Sequence, residues 1–297
     1  MGTWGAELGP VLLGALAAWL SYRRPGGWLP GALGAGLAIL LAASRPGGLL
    51  PVAAWLATGV VAGRLARPHP PGLRPEDGLV AVATLVTVSL WVSWRLVKGV
   101  SPAHLGSSQL LGLYLLTPVV EVAVAGLGWW RAKVPLDQVL QPYRRRSGWA
   151  WGLGVGLALS LLAALVVAAE SQGLHWSVRS NNPLVYAPQF FAHPDWPLGV
   201  LVVAVVGMAP AAEEFLFRGL FLEALRRRWG ATWAVVLSGA TFAAAHFDPT
   251  LFWALWLAGI GLGWLYVRTR SLVPSTIAHA TFNALSVAMA LAAFHGR

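Results

Sequence analysis

Five polar side chains interrupt long apolar segments in the second half of this sequence. Glu213 and Glu214 are adjacent, His246 follows three alanines, and His279 precedes Asn283 by four residues. A charged side chain at the centre of a bilayer costs at least about 2.5–3.5 kcal/mol, so an ionisable residue in such a segment indicates a functional site. These positions are therefore the first candidates for chemistry.

The two glutamates differ in what their helical neighbours offer them. Glu214 and Arg218 are four residues apart with the acid first, so they share a helix face and can form an ion pair. Glu213 points about 100° away from Glu214, and the residues three and four positions after it are Leu216 and Phe217. An unpaired carboxylate in apolar surroundings suits the role of a general base. We predict that Glu213 is the base and that Glu214 belongs to the frame.

Two further pairs have the same four-residue spacing, which places both members on one helix face. His279 and Asn283 could contribute one imidazole to a metal site, or they could present N–H donors to a developing oxyanion. Phe242 and His246 form the other pair. A lone histidine in an apolar helix is more often a hydrogen-bonded core residue than a catalyst. Together with Glu213, however, the set supplies a base, an imidazole that orients water, and oxyanion donors, which is the equipment for peptide hydrolysis by water.

The composition is that of a membrane protein. Of the 297 residues, 57% are apolar and only 11% are charged, and the mean hydropathy is +0.65; soluble domains have about 25% charged residues. The net charge of +10 would suggest nucleic acid in a soluble protein. Here the basic residues lie between apolar segments, so we interpret them as topology signals and contacts to lipid head groups, and we predict no nucleic-acid partner. Without cysteine, disulfide and thiol chemistry are excluded.

Apolar segments of about 16–23 residues recur along the chain, and each is close to the length that spans a bilayer. They lie near 6–22, 28–44, 48–63, 79–97, 109–130, 148–170, 197–225, 231–247, 251–268 and 273–294. We predict an all-α fold, a polytopic transmembrane helical bundle of about 8–10 spans. Lys and Arg favour alternate loops by about three to one, which predicts that both termini lie outside.

Three features concern the packing of these spans. Pro210 lacks a backbone N–H, so it should kink its span or begin a new helix just before the acidic pair. Glu121 follows Pro118 in the fifth span, where we favour a structural role over a site role. Glycines four residues apart let helices approach closely in lipid. Two such pairs are present, Gly152 with Gly156 and Gly259 with Gly263.

Three motifs carry a family resemblance: Glu213-Glu214-x-x-x-Arg218, then Phe242-x-x-x-His246, then His279-x-x-x-Asn283. They resemble the motifs of the CPBP family, the membrane proteases that include type II CAAX prenyl endopeptidases and bacteriocin-processing or bacteriocin-immunity proteins. Every motif position is matched, in order and on successive apolar segments. The resemblance covers roughly 148–297 and predicts a protease core there, preceded by variable N-terminal transmembrane helices in 1–147.

The resemblance implies an intramembrane endopeptidase with a defined set of catalytic residues. By analogy, Glu213 acts as the base that activates water together with His246. Glu214 corresponds to the second acidic residue of the family. The resemblance assigns the stabilisation of the oxyanion to His279 and Asn283.

The resemblance leaves the question of a metal open. It gives Arg218 and Phe242 supporting roles, as the partner of the second acid and as a neighbour of the histidine. If a metal such as zinc is bound, its ligands would be Glu213, His246 and His279. We favour a metal-free glutamate mechanism, because the His-Glu-x-x-His zinc helix is absent.

The expected partners are the lipid bilayer and a protein or peptide substrate that is embedded in, or anchored to, the membrane. We expect a multi-pass integral membrane protein, in the cell membrane if the source is prokaryotic. Two other functions stay open. One is a non-enzymatic immunity or scaffold protein with the same fold. The other is a proton-coupled transporter in which Glu213 relays the proton.

Overall fold

A computed structural model describes residues 71–97, 107–144, 148–173, 196–246 and 248–295. Every regular element in these ranges is helical, so the predicted all-α class is confirmed. Three of the predicted spans, 6–22, 28–44 and 48–63, lie outside the described residues. The elements in chain order are α1 Pro75–Val97, α2 Ser107–Arg131, α3 Leu136–Arg144, α4 Trp149–Gly173, α5 Trp196–Val203, the first π-helix Ala204–Met208, α6 Ala209–Glu214, the second π-helix Phe215–Leu222, α7 Glu223–Ala245, α8 Phe252–Thr269 and α9 Leu272–His295.

Several described helices are long and apolar enough to cross a membrane, which confirms a polytopic bundle. The four stretches that meet this condition by length and composition are Leu111–Arg131, Trp149–Gln172, Leu198–Ala245 and Leu272–Ala292. The third stretch has 48 residues. A straight helix of that length would extend far beyond the roughly 30 Å hydrocarbon core, at about 1.5 Å per residue.

Gly230 divides this long stretch into the two spans that the sequence predicts, 197–225 and 231–247. Its backbone has φ 79° and ψ 176°. A positive φ is a conformation that glycine adopts without the steric cost that a Cβ would bring. The chain therefore turns within α7, and the part after Gly230 runs back beside the second π-helix, where Ser238 Oγ donates to the carbonyl oxygen of Phe217 at 3.1 Å.

The acidic pair lies between two π-helices. Pro210 is in the first turn of α6, directly after the first π-helix. Because proline has no N–H, it breaks the regular hydrogen-bond pattern of the preceding turn. The prediction that a new helix begins just before the acidic pair is confirmed. Single π-helical turns within α-helices are frequent at functional sites.

The largest cluster of buried apolar side chains surrounds the second π-helix, in which every residue except Phe215 is buried. The partners in this cluster come from α1, α2, α3, α7, α8 and the start of α9. By contrast, α4 exposes a row of leucines, which suits a helix that faces lipid. These are Leu153, Leu157, Leu161, Leu162 and Leu165. The acidic segment is thus central, and α4 is peripheral.

Glycines allow two close helix contacts that position the site. A Cβ added to Gly156 would lie 2.6 Å from the carbonyl oxygen of Ala278, so α4 and α9 touch through their backbones. A Cβ on Gly259 would lie 2.7 Å from Cα of Gly239, which brings α8 against α7. The predicted role of small residues in helix packing is confirmed at these contacts.

An ion-pair cluster ties the start of α7 to the end of α8. The buried Glu223 carboxylate accepts a hydrogen bond from Arg226 at 2.8 Å and from Arg270 at 3.1 Å. Because Arg270 follows the last residue of α8, this contact fixes how that helix ends relative to α7.

Candidate active site

The Glu214–Arg218 pair that the spacing predicts is confirmed. Arg218 Nη1 donates to Glu214 Oε1 at 2.8 Å, and both side chains are completely buried. Arg218 Nη2 also donates to the carbonyl oxygen of Gly259 at 3.2 Å. Its guanidinium carbon lies 4.7 Å from the centre of the Phe242 ring. One buried arginine therefore links the acidic segment to α7 and α8.

His279 approaches the same glutamate from α9. Its Nδ1 atom lies 3.1 Å from Glu214 Oε1. Because this carboxylate also accepts from Arg218, Nδ1 is the donor, and Nε2 is the ring nitrogen left for other partners. That nitrogen lies 3.7 Å from Oε2 of Glu213. His279 therefore stands between the two adjacent carboxylates.

Glu213 is less isolated than its own helix suggests. Its side chain is 14% exposed, and its Oε2 atom is buried without a hydrogen bond in the part of the chain that the structure describes. As predicted, Glu213 has no charged partner three or four residues further along its own helix. However, the Nε2 atom of His279, on another helix, lies 3.7 Å from its Oε2 atom. A reading of one helix at a time cannot reveal such a neighbour.

Phe242 connects the two histidines. Its ring centre lies 4.7 Å from that of His246 and 5.5 Å from that of His279. His246, at the end of α7, has its Nδ1 atom 2.8 Å from the carbonyl oxygen of Phe242. A carbonyl only accepts, so Nδ1 carries the proton and Nε2 is left as an acceptor. His246 thus joins the site through the aromatic ring.

Asn283 lies one helical turn beyond His279 on α9. Its side-chain nitrogen donates to the carbonyl oxygen of Val205, in the first π-helix, at 2.8 Å. An asparagine amide has two N–H groups, so one remains for another acceptor. The bond attaches α9 to the irregular turn that precedes the acidic pair.

With this geometry established, comparison with known proteins gives a family. Residues 194–285 match the family described as type II CAAX prenyl endopeptidase, Rce1-like. Over this segment, the chain is similar to the CPBP family of CAAX proteases. Searches of the curated proteins and of the solved structures each found no match.

The family match contains all three motifs, from Glu213 to Asn283, and lies inside the predicted core, 148–297. The boundary between 147 and 148 stays a prediction. Members of this family are integral membrane proteases. The match and the four stretches that qualify as spans together support an integral membrane protein in contact with the lipid bilayer.

The residues proposed as zinc ligands were Glu213, His246 and His279. Among the described residues, no three His, Asp, Glu or Cys side chains form a group that could hold a metal ion. This set therefore does not fit a metal centre in its present arrangement, and the mechanism below uses no step through a metal.

Glu121 is a buried carboxyl group for which the sequence favours a structural role, and that role stays a prediction. It lies on α2, its side chain is buried, and the residue is 4% exposed. Its carboxyl group interacts electrostatically with that of Glu213. In the sequence, Glu121 stands out only as a carboxylate in an apolar span, because the family match begins at residue 194 and does not include it.

Proposed function

We propose that this protein is an intramembrane endopeptidase that hydrolyses a peptide bond with a water molecule activated by Glu213 and His246. The observation that carries this proposal is the state of Glu213. Its Oε2 atom is buried and has no hydrogen bond among the described residues, whereas Oε1 of Glu214 beside it accepts from both Arg218 and His279. A carboxylate without a partner is available to take a proton.

In the proposed reaction, Glu213 removes a proton from water while the water oxygen attacks the carbonyl carbon of the scissile peptide bond. His246 orients that water through Nε2, which its own Nδ1 bond leaves free as an acceptor. The carbonyl oxygen becomes an oxyanion. Glu213 then returns the proton to the leaving nitrogen, the C–N bond breaks, and a carboxylic acid and an amine result.

The oxyanion donors in this proposal are the remaining N–H of Asn283 and the Nε2–H of His279, which donates in the imidazolium form because Nδ1–H is bound to Glu214. Asn283 keeps one N–H after its bond to Val205, and that bond holds the amide in a fixed orientation. Donors that are already oriented stabilise developing charge without reorganisation, and one of them is typically worth 10²–10³ in kcat.

Arg218 and Glu214 form the frame in this proposal. Their ion pair orients His279 through Glu214 Oε1, and the Phe242 ring spaces the two histidines. The substrate class is a peptide or protein that reaches the site from the membrane, because the surrounding helices are apolar and four stretches qualify as spans.

The test is cleavage of a quenched fluorescent peptide with a farnesylated CAAX end by the purified protein in liposomes, with an unprenylated apolar peptide alongside. The wild type should cleave, while Glu213→Gln and His246→Ala should lose activity yet insert and purify normally. Glu170→Gln is a matched control, because it neutralises another buried carboxylate on α4. Cleavage at the wild-type rate by Glu213→Gln, or no cleavage of either peptide by the wild type, would contradict the proposal.

A further inference from the structure

Three arginines converge on a single carboxylate at one end of the bundle. The Glu223 carboxylate lies 2.8 Å from Arg226 Nη2, 3.1 Å from Arg270 Nη1 and 3.7 Å from Arg227 Nε. Arg226 and Arg227 follow Glu223 on α7, whereas Arg270 follows the last residue of α8. One negative charge therefore faces three positive charges from two helix ends.

The three arginines keep hydrogen-bond donors that Glu223 does not use. The Glu223 side chain is buried, whereas the arginine side chains are 33–48% exposed. Within the described ranges, every ion pair of these arginines is with Glu223. A guanidinium has five N–H groups, of which Arg226 and Arg270 each direct two at Glu223. The cluster therefore presents N–H groups and surplus positive charge to its surroundings.

Exposed tryptophans surround this end of the bundle. Two lie beside the Gly230 turn, directly after the arginines on α7, and two lie in the first turn of α4. The start of α4 reaches the same end, because a Cβ on Gly148 would lie 3.7 Å from Thr269, the last residue of α8. The four side chains are Trp149, Trp151, Trp229 and Trp233. Tryptophan is enriched at the level of the lipid head groups, so the arginine cluster lies at that level.

The chemistry of the cluster favours an anionic lipid over a zwitterionic one. Guanidinium groups bind phosphate oxygens in pairs, and every phospholipid carries a phosphate at this level. A zwitterionic head group also brings a cation, which the surplus arginine charge repels, whereas an anionic head group brings none. The distribution of Lys and Arg predicts that this end faces the inside, and the inner leaflet is the one rich in anionic lipids.

We propose that Arg226, Arg227 and Arg270 form a binding site for the phosphate of one anionic phospholipid. Glu223 holds the three guanidinium groups together, and the lipid phosphate accepts from the N–H groups that Glu223 leaves unused. The bound lipid links the start of α7 to the end of α8. This site is separate from the proposed catalytic residues and does not depend on the proposed function.

The test measures the affinity of the whole chain, purified in neutral detergent micelles, for a fluorescent short-chain phosphatidylglycerol at constant ionic strength. Unlabelled phosphatidylglycerol should displace this probe. Phosphatidylcholine with the same acyl chains should compete at least about tenfold more weakly, because its choline lies beside the surplus arginine charge. Inorganic phosphate at the concentration of the lipid should not displace the probe, because it has no acyl chains to bind the apolar surface below the arginines.

Arg227→Gln should lower the affinity for phosphatidylglycerol about fivefold, the effect of one basic residue near an anionic surface. The change leaves the hydrogen bonds of Arg226 and Arg270 to Glu223 in place, so the fold should be kept. Adding Arg270→Gln should lower the affinity about 25-fold in all.

Arg74→Gln is the matched control, because Arg74 is as exposed as Arg227 but lies 3.8 Å from its own carboxylate, Glu76. It should change the affinity by less than about twofold. Equal losses for Arg74→Gln and Arg227→Gln would reveal diffuse attraction and overturn the proposal. So would equal competition by phosphatidylcholine, or displacement by inorganic phosphate, which would indicate a site for free anions. The competition between lipids on the wild type decides the matter even if the double variant does not fold.

Discussion

His279 Nδ1 lies 3.1 Å from Glu214 Oε1, although 65 residues separate them in the chain. This contact joins the last motif to the first and leaves Nε2 of the imidazole facing Glu213. Because Arg218 binds the same carboxylate oxygen, the orientation of the histidine depends on a buried ion pair.

Glu214→Gln should therefore impair both stability and catalysis. The change leaves the Arg218 guanidinium buried without its counter-charge, which typically costs about 3–5 kcal/mol. It also weakens the acceptor that orients His279. We expect a large fall in the midpoint of thermal unfolding in detergent and a fall in kcat for the farnesylated peptide. Unchanged values of both quantities would show that the contact does not hold the imidazole.

Arg218→Ala should destabilise the protein by about 3–5 kcal/mol, because it removes the guanidinium that pairs with the buried Glu214 carboxylate and leaves that carboxylate only its contact with His279. Arg227→Ala is the control. Arg227 lies 3.7 Å from Glu223, but its side chain is 48% exposed, and exposed ion pairs contribute about 0–1 kcal/mol. Denaturation in mixed micelles would compare the free energies of unfolding of the two variants. Equal losses of stability would contradict the structural role of the buried pair.

Phe242→Leu should lower activity as well as stability. The ring contacts His246 and His279 and lies against the guanidinium of Arg218. A smaller side chain weakens all three contacts. Phe221→Leu is the matched control, since Phe221 is equally buried but packs against Gly78 on α1. Both variants should lose about 1–2 kcal/mol in the free energy of unfolding, and only Phe242→Leu should have a lower kcat. If both lose kcat equally, Phe242 acts only through stability.

Asn283→Ala should lower kcat about 100-fold if the amide stabilises the oxyanion. Its loss of stability should be near 1 kcal/mol, the usual net contribution of one hydrogen bond, here the bond to Val205. Ser286→Ala is the control, because it removes a side-chain bond to a backbone carbonyl on the same helix. A variant that loses stability and keeps kcat would restrict Asn283 to a structural role.

Gly156→Ala should separate α4 from α9 and displace the helix that carries His279. The added methyl group would lie 2.6 Å from the carbonyl oxygen of Ala278, next to that histidine, and neither backbone can yield easily. Overpacking of this kind costs about 1–3 kcal/mol. At Gly154, nothing lies within 4 Å of the added carbon, so Gly154→Ala should be neutral or slightly stabilising. Unfolding midpoints and kcat of the two variants provide the comparison.

Much of the candidate site was accessible from local spacing. The Glu214–Arg218 pair follows from a separation of four residues. Pro210 and Gly230 lie where the helix pattern changes, because proline removes a backbone N–H and glycine permits a positive φ. The approach of His279 to Glu213 was not accessible in this way. His279 lies on α9, and a separation in sequence contains no information on which helix faces meet.

The amino-acid sequence by itself determined the membrane class, the three motifs and their resemblance to the CPBP family, since these depend on residue type and on spacing within single helices. Only the tertiary structure decided that His279 bonds to Glu214, that Asn283 bonds to Val205 and that His279 Nε2 approaches Glu213. Each of these contacts joins two helices, and their relative register is set by side-chain packing and by glycine contacts across the bundle.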